Sequence, residues 1–113
     1  MRTDPATVLV RHVRRFNEGV RSGDLKAMLD GFTEDAELVF EGMTAGPFVG
    51  RAAIAEAYAR MPPDDEVRLL GAPRVNGDHV ESDYVWASEG RRAGRMAVTV
   101  RDGAVARLLV TFE

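Results

Sequence analysis

The sequence predicts an α+β fold, with helices gathered ahead of an antiparallel strand meander. Two observations carry this. The first sixty residues place apolar side chains at helical spacing, as in Leu9, Val13, Phe16 and Val20. From Glu66 onward the pattern switches to strict alternation: Val80, Ser82, Tyr84, Trp86, then Met96, Val98, Val100, then Leu108, Val110, Phe112. Period two marks strands with one apolar and one polar face.

The elements follow in order. Thr3 or Asp4 caps a first helix, and Pro5 suits its first turn. Ser22-Gly23 stops it. Asp24 caps a second helix whose buried side is Leu25, Met28, Leu29 and Phe32. Glu34-Asp35 reads as a turn, Ala36 to Glu41 as a short strand, and the glycine-rich stretch Gly42 to Gly50 as a loop. Arg51 to Arg60 is a third helix, ended by Pro62-Pro63. Strands are expected at 66–75, 78–89, 93–101 and 104–113, joined by turns at Asn76-Gly77, Glu89-Gly90 and Asp102-Gly103. The order is α-α-β-α-β-β-β-β, read as one domain over 1–113.

Composition narrows the function. A net charge of −3 argues against a broad nucleic-acid footprint. The absence of cysteine excludes disulfides, thiolate catalysis and Cys-ligated zinc. No apolar run approaches a membrane span, and no secretory signal precedes the first helix, so a cytoplasmic, non-membrane protein is expected. Two histidines in separate elements, His12 and His79, do not suggest a metal, and no glycine-rich phosphate loop is present, so no cofactor is expected. The inner sheet face carries no Asp, Glu, His, Lys, Arg or Cys. A pocket lined by it would be greasy and poor in chemical tools.

The phrases "RSGDLKAMLDGFTEDAEL" and "FVGRAAIAEAYAR", set in this element order, resemble the NTF2-like superfamily, nearest its SnoaL-like and ketosteroid-isomerase-like branches. The resemblance covers almost the whole chain. It implies three helices packed in a curved, mostly antiparallel sheet that forms a cone, a ligand cavity inside, and frequent dimerisation across the sheet. It does not imply one chemistry. At the positions where ketosteroid isomerases carry an oxyanion-hole tyrosine, a catalytic aspartate and a protonated aspartate, this chain has Phe16, Phe40 and Met96. An isomerase needs a base and enolate donors, and these side chains are neither. An auxiliary tyrosine of that family does match, at Tyr58. Limonene-epoxide hydrolases place an Arg-x-Asp pair where Tyr84 and Trp86 stand here.

Three residues are candidates for chemistry. Glu41 lies beside the isomerase base position; a bulge at Gly42 would turn it inward, whereas simple alternation leaves it outside. Tyr84 and Tyr58 each offer one hydroxyl, either to a backbone carbonyl or to a ligand oxygen. His12 sits one helical turn before Phe16, placed for either the cavity rim or solvent. Ser82 has inward parity but no partner histidine.

The expected ligand is a neutral, mostly apolar, ring-containing or polyketide-like molecule. It would be bound by Phe16, Phe40, Trp86, Met96, Val98, Leu108, Val110 and Phe112, with Tyr84 as polar anchor. If the protein is an enzyme, isomerase or cyclase-type proton transfer is indicated, with Glu41 as base; the alternative is a non-catalytic carrier or interaction module. A homodimer is expected through the outer sheet face, centred on Val85, Ala97 and Leu109.

Overall fold

The computed structural model describes residues 4–44 and 46–112 of the chain. Thr3, the alternative cap, and Glu113 lie outside the described residues. Asp4 caps helix α1 (Pro5–Ser22) by accepting from the Ala6 amide at 2.9 Å. Gly23 closes it in the left-handed region at φ 80°, its amide bonded to the Gly19 carbonyl at 2.8 Å. Helix α2 (Lys26–Asp30) begins as Asp24 accepts from the Lys26 amide. Strands β1 (Phe32–Glu41) and β2 (Phe48–Val49) precede helix α3 (Arg51–Arg60). The meander consists of β3 (Val67–Asn76), β4 (His79–Trp86), β5 (Arg92–Arg101) and β6 (Ala104–Phe112).

The helices pack against a curved, largely antiparallel sheet, as an α+β cone requires. Strand order is β2-β1-β6-β5-β4-β3. The one parallel pair is β1 with β6, so the sheet is mixed. Helix α1 crosses β3, β4 and β5, and α3 lies against β1 and β2. Four register shifts bend the strands: between Phe32 and Glu37, Leu70 and Arg74, Tyr84 and Val85, and Thr99 and Val100. Each inserts residues on one strand without a counterpart on the next, which kinks and twists it.

The sequence reading departs from the fold at several elements. Phe32, expected on α2, opens β1, yet it is buried all the same at 0% exposure. Glu34-Asp35 is not a turn but the bulged part of β1. The expected loop 42–50 contains the two-residue β2, which pairs with Glu37 and Leu38. Strand β4 stops at Trp86, where the Trp86 carbonyl takes the Glu89 and Gly90 amides into a turn.

The core collects Leu9, Val13, Met28, Phe32, Leu38, Ile54, Val80, Tyr84, Val98 and Leu108. Asn17 ties α1 to the start of β3, accepting from the Val67 amide and donating to its carbonyl, both at 2.8 Å. Gly94 on β5 has no room for a side chain, since a Cβ there would stand 1.8 Å from the Thr111 carbonyl oxygen. Val85 was expected at the centre of an exposed outer face but is 1% exposed, with Arg68 and Arg92 as its strand neighbours. The outer charges are largely engaged within the chain: Asp83 with Arg74 and Arg92, Glu37 with Arg107, Asp35 with Arg101. No helix among the described residues is long and apolar enough to cross a membrane.

Candidate functional site

Strand register builds the site. Phe40, Val110, Met96 and Ser82 stand opposite one another across β1, β6, β5 and β4. Alternation carries Leu108, Phe112, Tyr84 and Trp86 to the same side. Helix α1 faces this row with His12, Val13 and Phe16, and α3 with Tyr58. Together they enclose a cavity of about 210 Å³, completed by Met43, Met61, Pro63 and Val67. Met43, Met61 and Phe112 are exposed as well as lining, at 42%, 52% and 43%, and so form its mouth. An apolar cavity of about 150 Å³ takes benzene, so this one has room for a small ring system.

Of the residues proposed from sequence, Phe16, Phe40, Trp86, Met96, Leu108, Val110, Phe112, Tyr58 and Tyr84 line the cavity. Val98 and Glu41 do not. Val98 pairs with Leu108 and Val80 deeper in the sheet and is fully buried in the core. Glu41 is exposed at the end of β1. Alternation is unbroken from Glu37 to Glu41 against β6, so no bulge turns its carboxylate inward. Among the described residues, no Asp, Glu, Lys or Arg lines the cavity.

Its polar groups differ in how they are engaged. The Tyr84 hydroxyl is buried and donates to the Thr111 carbonyl at 3.4 Å; its ring stands edge-on to Trp86 at 5.7 Å. Tyr58 makes no hydrogen bond among the described residues, and burial pushes its phenol well above the ordinary range. His12 is 6% exposed, with its ring edge-on to Phe32 at 5.3 Å. Burial, and then the charge of Arg15, push its pKa down to about 4, so it is neutral at neutral pH. Ser82 is buried and bonds to the Asp83 and Leu70 carbonyls. No cluster of metal-binding side chains occurs among the described residues.

Sequence reasoning left His12 open and did not place Val13, Met43, Met61, Pro63 or Val67 in the site. Val13 was visible as part of the α1 stripe. The loop residues carry no periodicity that could have identified them.

The family model of the SnoaL-like domain matches residues 13–108. No curated protein matches the chain. Among solved structures, the epoxide hydrolase/cyclase-like enzyme SalBIII, with a role in pyran ring formation in the polyether salinomycin, is similar at a TM-score of 0.76 and 18% identity, over 96% of this chain and 90% of that one. A candidate polyketide cyclase from Xanthomonas campestris pv. campestris is similar at 0.67 and 25% identity, over 97% and 93%. An NTF2-like protein of unknown function from Cytophaga hutchinsonii is similar at 0.74 and 13% identity, over 100% and 93%.

Proposed function

The chain belongs to the SnoaL-like domain family of the NTF2-like superfamily, and on that premise we propose that it binds a small, neutral, ring-containing molecule in its cavity without supplying a catalytic base. The observation that carries this is the lining: apolar side chains throughout, with His12, Tyr58 and Tyr84 as its titratable groups among the described residues. Such a wall favours apolar ligand surface by about 25 cal/mol per Å². It offers nothing to offset the desolvation of a charged ligand. Polyketide cyclisation and pyran ring formation, the chemistry named for two similar proteins, support oxygen-bearing ring compounds as the ligand class.

Isomerase or cyclase-type proton transfer is the weaker reading. Phe16, Phe40 and Met96 all stand on the cavity wall. They can neither take a proton nor hold an enolate. Glu41 is exposed, and an imidazole whose conjugate acid has a pKa of about 4 is a poor base at neutral pH.

Calorimetry with a panel of small hydrophobic ketones tests the binding reading. Sequence parity favoured Tyr84 as anchor, but its proton is engaged by Thr111 while the Tyr58 hydroxyl has no partner among the described residues. Tyr58→Phe is therefore expected to weaken a bound ketone by about 0.5–1.5 kcal/mol, the net worth of one neutral hydrogen bond. Tyr84→Phe should cost less. Preference for phosphorylated or dicarboxylate compounds would sink the reading.

We also propose a homodimer through the outer sheet face. With Val85 and its expected companion Ala97 both buried, at 1% and 9%, the apolar centre of that face is reduced to Leu109, which stands opposite Ala97 on β6. The charges beside it would form a polar rim. Light scattering at tens of micromolar is expected to give twice the 12.4 kDa chain mass; a monomer there removes the dimer.

A further inference from the structure

His12 is a nitrogen base built into a hydrocarbon wall, and neither the sheet nor the helices use it. Its ring is more than nine-tenths buried and lines the cavity. Its contact with Phe32 is edge-on and involves no hydrogen bond. Among the described residues, neither ring nitrogen has a hydrogen-bond partner, and neither is sealed from open space. A ring nitrogen with no partner in the protein and open space beside it bonds to whatever fills that space, water or a ligand. A neutral imidazole carries one N–H and one bare nitrogen. The other polar groups of the wall can already donate: Tyr58 through its phenol and Trp86 through its indole N–H. The bare imidazole nitrogen adds a strong acceptor, and its complement is an O–H.

We propose that His12 is the recognition group of the cavity and accepts a hydrogen bond from a hydroxyl of the ligand, so that the ligand class is a small neutral phenol, enol or ring alcohol. This rests on the cavity being a binding site. The volume of about 210 Å³ admits a one- or two-ring body. Longer substituents would leave past Met43, Met61 and Phe112 at the mouth. A carboxylate of the same shape is disfavoured, because no Lys or Arg lines the cavity among the described residues.

Three probes of one ring size test this: naphthalene, 2-naphthol and 2-naphthoate, with binding followed by fluorescence at neutral pH. His12→Phe keeps the ring and its contact with Phe32 but removes the nitrogens. It is expected to weaken 2-naphthol roughly two- to tenfold, the span of one neutral hydrogen bond, and to leave naphthalene unchanged. His12→Gln, which keeps an acceptor, should restore part of the loss. In the His79→Gln protein the only histidine left is His12, so nitrogen NMR of the imidazole reads it directly even if neither His12 variant folds. One nitrogen resonance should move on saturation with 2-naphthol and stay put with naphthalene. An unmoved resonance at saturation, or equal losses for both probes in His12→Phe, overturns the role of His12 while leaving the cavity as a binding site. Tighter binding of 2-naphthoate than of 2-naphthol overturns the ligand class. If neither naphthalene nor 2-naphthol binds the parent protein, the cavity reading falls, and the role of His12 with it.

Discussion

Replacing Phe32 with alanine is expected to destabilise the protein by about 3–5 kcal/mol, the range for deleting a buried aromatic ring. Phe32 has no exposed surface and sits where three things meet. Its ring packs edge-on to His12, its strand position pairs with Val105, and its carbonyl accepts from the Arg51 side chain at the start of α3. Relaxation cannot refill the hole cheaply, because backbone on both sides is held by hydrogen bonds to neighbouring elements. The same substitution should reduce the burial of the imidazole and admit more water around it. The pKa of His12, held at about 4 by burial, should then rise toward its ordinary 6.5. Urea denaturation measures the first effect and imidazole NMR the second. A loss below about 1 kcal/mol would mean that the site collapses around the smaller side chain.

Acidification is expected to cost the native state about 3 kcal/mol between pH 6.5 and 4, through His12 alone. The sign follows from proton counts. In the unfolded chain the imidazole takes a proton near 6.5; in the folded protein it does so only near 4. Between those values the unfolded state binds the extra proton, so stability falls as pH falls. It is fully present above 6.5 and lost as pH drops through about 4, and the gap converts to about 3 kcal/mol. The environment explains the depression. Arg11 and Arg15 share its helix and border the small gap on one side of the ring, whose other walls are Val8, Met28, Gly31 and Val105. Phe32 covers it from β1, and the cavity beyond contributes Tyr58 and Tyr84 as its other titratable groups among the described residues. Among the described residues, no carboxylate stands there to stabilise an imidazolium. The surface aspartates Asp30, Asp35, Asp65 and Asp83 are held below 3.8 by their hydrogen-bond partners, so their contributions are lost at lower pH than this window. Urea midpoints measured from pH 7 to 4 should decline in the parent protein and flatten in His12→Phe. A flat parent profile, or an unchanged slope in the variant, would remove His12 as the cause.

Much of the architecture was legible because alternation is a local signal. Val80, Tyr84, Met96, Leu108 and Val110 share the buried side of the sheet, as their spacing required. Gly23, Gly77 and Gly103 stand at positive φ where the turns were read. Phe32 shows the limit of that signal: its hydrophobicity identified a buried residue but not the element that buries it. The parallel pairing of β1 with β6 joins segments about seventy residues apart, such as Leu38 with Leu108. Period two tells which face a residue takes and is silent on which strand lies beside it.

The sequence by itself determined the two faces of the sheet, the greasy character of the inner one, and the absence of carboxylates from its alternating positions. Tertiary structure decided the rest, because each remaining question depends on a distant atom. Ala93 is the extra residue of a bulge only because Tyr84 pairs with Gly94 while Val85 pairs with Arg92. Tyr84 is partly engaged as a donor because the Thr111 carbonyl comes within 3.4 Å of its hydroxyl, whereas Tyr58 meets no such group among the described residues. His12, at the margin of the α1 stripe, could have faced either way on its helix. The bulged start of β1 brings Phe32 against it, and burial there keeps the imidazole neutral at the cavity wall.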